Sequence, residues 1–408
     1  MEIQLKVFMI GLGQAGGKIT DLFIGDDISA KTERRYRAIA VNTARPDLRG
    51  HKYIPKKNRI LIGETVVGGH GVGANNKLGA KIAKAEIDKI LTAIDLVGTA
   101  DVDVFLVVTA LGGGTGSGGA PIVVKHLKRI YNEPVYVLGV LPTEAEGGVY
   151  ILNAARSLKT LSKYADSMIL VDNSAFLRPG QSLQSAYGWI NSEIVKRFGL
   201  LAQAGEVSVG GVVGEMVVDA SEINQTLAGM EICTIGYASE ELPKPGFVRK
   251  TLLGNNRVDQ RKSARVVSLV TRAAKTRLLL PCDFRSVRRA LIVVAGPPEE
   301  LSRDGTENAR EWLERNIAGG EVRGGDLPVP NSRYIAAAVL LAGITGVRKI
   351  DLLFEKARVM QEALARGLSK EEAKRRERTS QLMADIEDLE EEEIDIEDIE
   401  DLLKDLEM

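Results

Sequence analysis

The sequence predicts an α/β protein: a doubly wound parallel-sheet domain, a long linking helix, a second α/β domain and an acidic C-terminal tail. Three observations carry this. Wholly apolar runs such as Val104-Phe105-Leu106-Val107-Val108 and Met168-Ile169-Leu170-Val171 are what strands buried on both faces look like. Segments of helical period alternate with these runs, so each strand is followed by a crossover. Glycine-dense stretches fall directly after strands, where the ligand loops of an open parallel sheet collect.

At 408 residues, 44% of them hydrophobic and 27% charged, the chain is long enough for two globular domains and a tail. No apolar run approaches the roughly 18 residues of a membrane span, and Met1-Glu2-Ile3-Gln4-Leu5-Lys6 enters a strand directly, so a cytoplasmic protein with no membrane insertion is expected. Cys233 and Cys282 form no disulfide framework and no metal-ligand spacing, and His51, His70 and His126 stand far apart. A side-chain metal site is not expected. The net charge of −1 hides an asymmetry: residues 385–408 hold 14 acidic residues and one lysine, leaving 53 basic and 41 acidic residues in 1–384.

Along the chain, Lys6-Val7-Phe8-Met9-Ile10 reads as the first strand, then a loop Gly11 to Lys18 and a helix to about Ile24. Gly11, Gly13 and Gly16 match G-x-G-x-x-G, which on its own suggests a dinucleotide fold. That reading requires a ribose-binding carboxylate at the end of the next strand, and the strand Tyr36–Val41 ends instead in Asn42-Thr43. A strand at Arg59–Ile62 leads to a second glycine-dense loop, Gly68 to Asn76, before a helix over about 79–97.

The run Ala110-Leu111-Gly112-Gly113-Gly114-Thr115-Gly116-Ser117-Gly118-Gly119 lies between a buried strand and a helix, whose first turn the spacing places at Pro121. Glycines let several N–H groups turn inward around one centre, and the helix start adds positive potential. Such a cup suits phosphate. The common phosphate loop needs a lysine that is absent here, so charge compensation falls to backbone, dipole and a metal ion. A strand at Pro134–Val140 then precedes the loop Pro142-Thr143-Glu144-Ala145-Glu146-Gly147-Gly148, and Met168–Val171 ends at Asp172-Asn173.

A helix from about Ser182 to Ala204 carries Tyr187, Ile190, Ile194, Phe198 and Leu201 on one face, with Asn191 one turn beyond Tyr187. Asp219 and Glu222 are three apart, so both carboxylates face one side if a helix starts there; Asp219 is equally a natural N-cap. Downstream, strands are expected at about 230–238, Ala290–Gly296 and Ile335–Leu341, with helices over about 259–279 and 306–317. Residues 249–289 hold twelve Lys/Arg and two Asp, but few aromatics interleave with them, so no nucleic-acid partner is expected. The acidic residues after Asp385 read as a tail that is disordered or marginally helical until it meets a protein adaptor or a basic groove.

Gly112-Gly113-Gly114-Thr115-Gly116-Ser117-Gly118 resembles the signature loop of the tubulin/FtsZ superfamily of GTP-dependent filament proteins, a pattern few other families use. Gly13-Gln14-Ala15-Gly16 is similar to the tubulin-type first loop. Together with an FtsZ-like length and Gly73-Ala74-Asn75, it makes the chain resemble the archaeal CetZ family over about residues 5–350. The resemblance implies a Rossmann-like GTPase domain at 1–180, a linking helix at 181–205, a second domain at 206–350 and a tail at 351–408. It implies GTP or GDP held with Mg2+, the metal bound through nucleotide and water. Phosphate contacts map onto Gly13, Gln14, Ala15, Gly16, Gly17 and Lys18, onto Gly73, Ala74 and Asn75, and onto the run Gly112 to Gly118. Asn42 offers a further amide. Ribose contacts map onto Pro142 and Glu146, and base contacts onto Asn173, Tyr187 (stacking) and Asn191. Tyr150 departs from the basic residue usual in bacterial FtsZ. Asp219 and Glu222 would complete the pocket of the next subunit in a head-to-tail homopolymer, making hydrolysis assembly-dependent, with a role in cell shape or division. A polymer that senses nucleotide but barely hydrolyses it is the second reading; a dehydrogenase is disfavoured by Asn42.

Overall fold

The computed structural model describes residues 5–30, 34–177, 183–204, 214, 216–243 and 255–390. Ten strands form one sheet: β1 (Val7–Leu12), β2 (Tyr36–Asn42), β3 (Arg59–Leu61), β4 (Val104–Ala110), β5 (Val135–Leu141), β6 (Ser167–Asp172), β7 (Ile232–Glu241), β8 (Arg289–Gly296), β9 (Glu321–Pro328) and β10 (Tyr334–Ala342). Their order is β3-β2-β1-β4-β5-β6-β7-β10-β8-β9. The first six are parallel to their neighbours. β10 is antiparallel to both β7 and β8, and β8 is parallel to β9. Strands β1, β5 and β6 are buried along their whole length, as their apolar runs require, with Ser167 and Asp172 at the two ends of β6 the polar exceptions.

By packing the chain divides into two compact units, Met1–Lys356 and Ala357–Met408. Within the first, the sheet runs through the expected boundary near residue 180, because β6 pairs in parallel with β7 at Met168–Ile232 and Ile169–Cys233. The helix Leu183–Ala202 packs on this sheet through Ile190, Ile194, Phe198 and Leu201, all buried, with Tyr187 partly buried at the same face. The described part of the second unit, 357–390, is helical. The acidic segment 391–408 lies outside the described residues. Among the described residues no helix is long and apolar enough to cross a membrane.

Several expected boundaries move. The first helix begins at Gly13, straight after β1, and runs to Ala30. The segment expected as one helix over 79–97 is two, Asn76–Ala85 and Ile87–Val97, broken at Glu86. The helix expected to open at Pro121 opens six residues earlier, at Thr115, so Pro121 lies inside it. Three glycines, Gly116, Gly118 and Gly119, make that stretch a poor helix by propensity. Tertiary packing overrides propensity here: a Cβ on Gly118 would stand 2.2 Å from the Asn76 carbonyl oxygen and 2.6 Å from the Ala80 nitrogen. The two helices cross backbone against backbone, and only glycine permits it.

Strand β9 was not expected. Glu321-Val322-Arg323-Gly324-Gly325-Asp326-Leu327-Pro328 carries two glycines, a proline and three charges, a composition that reads as a turn. It lies at the edge of the sheet, where such residues are tolerated because one side makes no ladder.

Replacing Gly118 with Ala is expected to cost about 1–3 kcal/mol by overpacking, seen as a lower midpoint in denaturant unfolding. Gly113→Ala serves as the control and leaves that midpoint unchanged, since its Cβ would meet nothing within 4 Å.

Candidate functional site

Because β1, β2, β4, β5 and β6 run in parallel, their C-terminal ends meet along one edge. Three helices, Gly13–Ala30, Asn76–Ala85 and Thr115–Ile130, begin at the loops of that edge and bring their unpaired N–H groups and positive ends with them. Gly13 has φ +72°, a left-handed conformation, and its missing Cβ would lie 3.0 Å from the Gly116 nitrogen. The first loop and the glycine run therefore touch.

A side chain that sequence reasoning missed organises the cup. Asn153, 2% exposed on the helix Gly148–Leu161, aims its Nδ2 at the carbonyls of Ala74 (2.7 Å), Gly112 (3.0 Å) and Gly113 (3.4 Å). Within a trans peptide the carbonyl and the following N–H point opposite ways. Holding the Gly112 and Gly113 carbonyls back thus turns the Gly113 and Gly114 N–H groups away from Asn153. One amide also ties the glycine run to the loop ending Gly73-Ala74-Asn75. That loop is strained: Ala74 has φ +60°, which costs a residue with a Cβ about 1–2 kcal/mol. Asn75 caps the next helix, its Oδ1 accepting from the Leu78 N–H at 3.0 Å.

Thr115 shares a buried 2.6 Å hydrogen bond with Thr43 at the end of β2. Beside them Asp47 accepts from Gln14 Nε2 and from Asn42 Nδ2, both at 3.0 Å. Asn42 Oδ1 accepts from the Thr43 N–H, at 2.8 Å. Two amides expected to face a ligand are thus held by a carboxylate that sequence reasoning did not single out. Gly17 packs against the His51 ring, and Lys18 is exposed one residue further along the first helix.

Further along the edge, Pro142 and Tyr150 flank Gly112, each with its Cβ 3.2 Å from where a Gly112 Cβ would stand. Thr143 and Glu146 form a capping box, with the Thr143 N–H donating to Glu146 Oε1 at 2.8 Å. Tyr187 hydrogen-bonds the same Glu146. Burial, together with that carboxylate, raises the Tyr187 phenol above its usual pKa. The residues expected at ribose and base are therefore in contact. Asn173 opens the short turn after β6, whose cap Asp172 accepts from the Ser174 N–H at 2.9 Å. Lys349 bridges Asp172 (3.4 Å) and Ser174 (2.9 Å), fixing that turn from outside. Asn191 is half-buried one turn past Tyr187.

Asp219 and Glu222 are not part of this edge. They stand at the start of the helix Ala220–Leu227, where Asp219 is the N-cap and accepts from the Glu222 N–H (2.9 Å) and the Ser221 hydroxyl (2.7 Å). That helix is pinned by Tyr136, whose hydroxyl lies 3.1 Å from Asn224 Oδ1. Tyr136 is the second residue of β5, while the loop at Pro142 follows its last. The acids thus sit at the opposite end of the parallel strands from the glycine cup, roughly 20 Å away by strand rise. The Ser221 hydroxyl and backbone N–H groups lower the Asp219 carboxyl. Burial first, then the Asp219 charge, raises Glu222, and Glu222 Oε2 has no hydrogen-bond partner.

Fold and site together define a nucleotide-binding α/β protein whose phosphate cup lacks a lysine. Residues 6–180 match the model of the tubulin/FtsZ family GTPase domain, and residues 180–359 that of the C-terminal domain of tubulin-like CetZ proteins. The chain is 49% identical over 362 residues to the tubulin-like protein CetZ1 of Haloferax volcanii, spanning 86% of this chain and 92% of that protein. Among solved structures it is similar to GDP-bound monomeric CetZ1 of the same organism (TM-score 0.78, 47% identity, 88% of this chain, all of the other). It is equally similar to a GTPγS-bound CetZ2 protofilament (TM-score 0.78, 38% identity, 88% of this chain). The chain belongs to the tubulin/FtsZ family, in its CetZ group.

Two substitutions test the cup. Gly113→Ala places a methyl in open space within the glycine run and is expected to weaken GDP binding about tenfold or more by displacing phosphate, with the fold intact. Asn153→Leu releases three carbonyls and is expected to weaken GDP and inorganic phosphate together; titration by calorimetry reads both.

Proposed function

We propose that this chain is a GTP-binding subunit that assembles head to tail into filaments and hydrolyses GTP where two subunits meet. One observation carries the reading: the cup and the acids lie at opposite ends of the same parallel strands. A single chain cannot bring them together, whereas a second copy stacked along the strand direction can. The GTPγS-bound protofilament of the similar CetZ2 supports self-assembly.

Glu222 is the stronger candidate for positioning the attacking water. Its carboxyl is raised and half-buried, and its Oε2 is buried without a hydrogen-bond partner, so it has an unmet acceptor for a proton. Asp219 is already engaged as a helix cap, and it acts mainly by keeping Glu222 in place and by its charge. Among the described residues no group of three His, Cys, Asp or Glu side chains could hold a metal, so Mg2+ would arrive on the triphosphate, with Thr115 in the glycine run and its partner Thr43 among the polar side chains beside it. When bound it would neutralise phosphate charge, a task no lysine in the cup performs.

Phosphate release per subunit is expected to rise with protein concentration. Glu222→Gln, nearly isosteric, should lose about a hundredfold or more in turnover with GTP affinity unchanged. Asp219→Ala should lose rate and also roughly 1 kcal/mol of stability with its cap. Turnover that is flat on dilution, or a Glu222→Gln protein as fast as wild type, defeats the proposal. Steady concentration-dependent binding with negligible turnover in wild type supports the sensing polymer instead.

A further inference from the structure

The short helix bearing the acids is tied at its two ends by side chains of β8 and β9. At its C-terminal end, Arg289 at the start of β8 donates from Nη1 to the carbonyls of Gln225 (2.8 Å) and Ala228 (3.0 Å). Arg289 Nε in turn pairs with Glu321 Oε2 at 2.8 Å. The other oxygen of Glu321 lies 3.2 Å from Arg323 Nη2, and Arg323 Nη1 lies 3.9 Å from Glu222 Oε1. A chain of four alternating charges thus runs from the last turn of the helix, across the β8–β9 edge, to the carboxylate at its first turn. Upstream, Asp326 and Met216 bond twice, Asp326 N–H to the Met216 carbonyl (2.9 Å) and Met216 N–H to Asp326 Oδ1 (2.7 Å). That approach needs Gly325, where a Cβ would stand 2.2 Å from the Met216 carbonyl oxygen.

We infer that Arg323, braced by Glu321 and Arg289, is a positioning residue that holds the Glu222 carboxylate ionised and oriented for the nucleotide of a neighbouring subunit. This rests on the trans-hydrolysis reading above. An eight-residue helix makes few bonds of its own, so its register relative to a second molecule depends on such external ties. The 3.9 Å separation is too long for a closed hydrogen bond. It leaves Glu222 oriented by charge, with its buried Oε2 free of any hydrogen-bond partner. The charged groups facing Glu222 are Asp219 from its own turn and Arg323 from β9, with Glu321 behind Arg323. Removing the arginine leaves Asp219 unopposed, so Glu222 would protonate more readily.

The test uses the full chain in wild-type, Arg323→Met, Arg323→Lys, Glu321→Gln and Glu222→Gln forms. GTP turnover is measured against pH at protein concentrations where a slowly hydrolysed analogue sediments each as polymer. Arg323→Met is expected to lose about ten- to a hundredfold in turnover per polymerised subunit, with GDP affinity unchanged. The acid limb of its pH profile should shift to higher pH, because a base is active only above its own pKa. Arg323→Lys should recover most of the rate, and Glu321→Gln should show a smaller shift in the same direction. An Arg323→Met protein with wild-type rate and acid limb overturns the inference. So does one as inactive as Glu222→Gln with an unmoved acid limb and no rescue by lysine, which would mark a direct contact to phosphate. If Arg323→Met fails to form polymer, the acid limb of Glu321→Gln decides. If Glu222→Gln itself turns over normally, the trans-hydrolysis reading has failed, and this inference falls with it.

Discussion

A steric constraint governs the upper edge of this protein: at certain crossings there is no room for a single methyl group. A Cβ on Gly16 would stand 2.1 Å from the Val108 carbonyl oxygen, and one on Gly118 2.2 Å from that of Asn76. Helices therefore lie on strands and on one another at backbone distance, and their N-termini converge on one mouth. Without a lysine in the loop, that convergence supplies the positive potential of the cup. Asn153 belongs to the same arrangement. It spends its amide on carbonyls that would otherwise compete with phosphate for the space in front of the glycines.

Strand direction does the rest. A parallel sheet sends every βα loop to one edge and leaves the reverse edge for other work. Here the reverse edge carries the acids, anchored through Tyr136 at the foot of β5 and Arg289 at the foot of β8. The helix Leu183–Ala202 runs beside both functions, with Tyr187 against Glu146 near one end and Arg197, 3% exposed, between the rings of Phe176 and Tyr237 further on. That buried guanidinium ties the turn after β6, which carries Phe176, to β7, which carries Tyr237, while one of its nitrogens, Nε, makes no hydrogen bond.

Much of the candidate site could be proposed from the sequence because glycine loops and paired amides announce themselves locally. The run Gly112 to Gly118, the Tyr187–Asn191 turn and the three-residue spacing of Asp219 and Glu222 each have a local pattern that survives without knowledge of neighbours. The start of the helix at Thr115 was not legible, since a glycine-rich first turn is favoured only when another helix presses on it. Asp47 and Asn153 were missed for a related reason. Each is an ordinary polar residue by composition, and each matters for the atoms of distant loops that it holds.

By itself the sequence determined the alternation of buried strands and helices, the lysine-free cup and the apolar stripe of the linking helix, because those depend on residue type and period along the chain. The tertiary structure alone decided that β9 is a strand, that the sheet is continuous across β6 and β7, and that cup and acids face opposite ways. Edge pairing of a glycine-rich segment and the direction of one strand relative to another are set by contacts between residues far apart in sequence, and no local pattern encodes them.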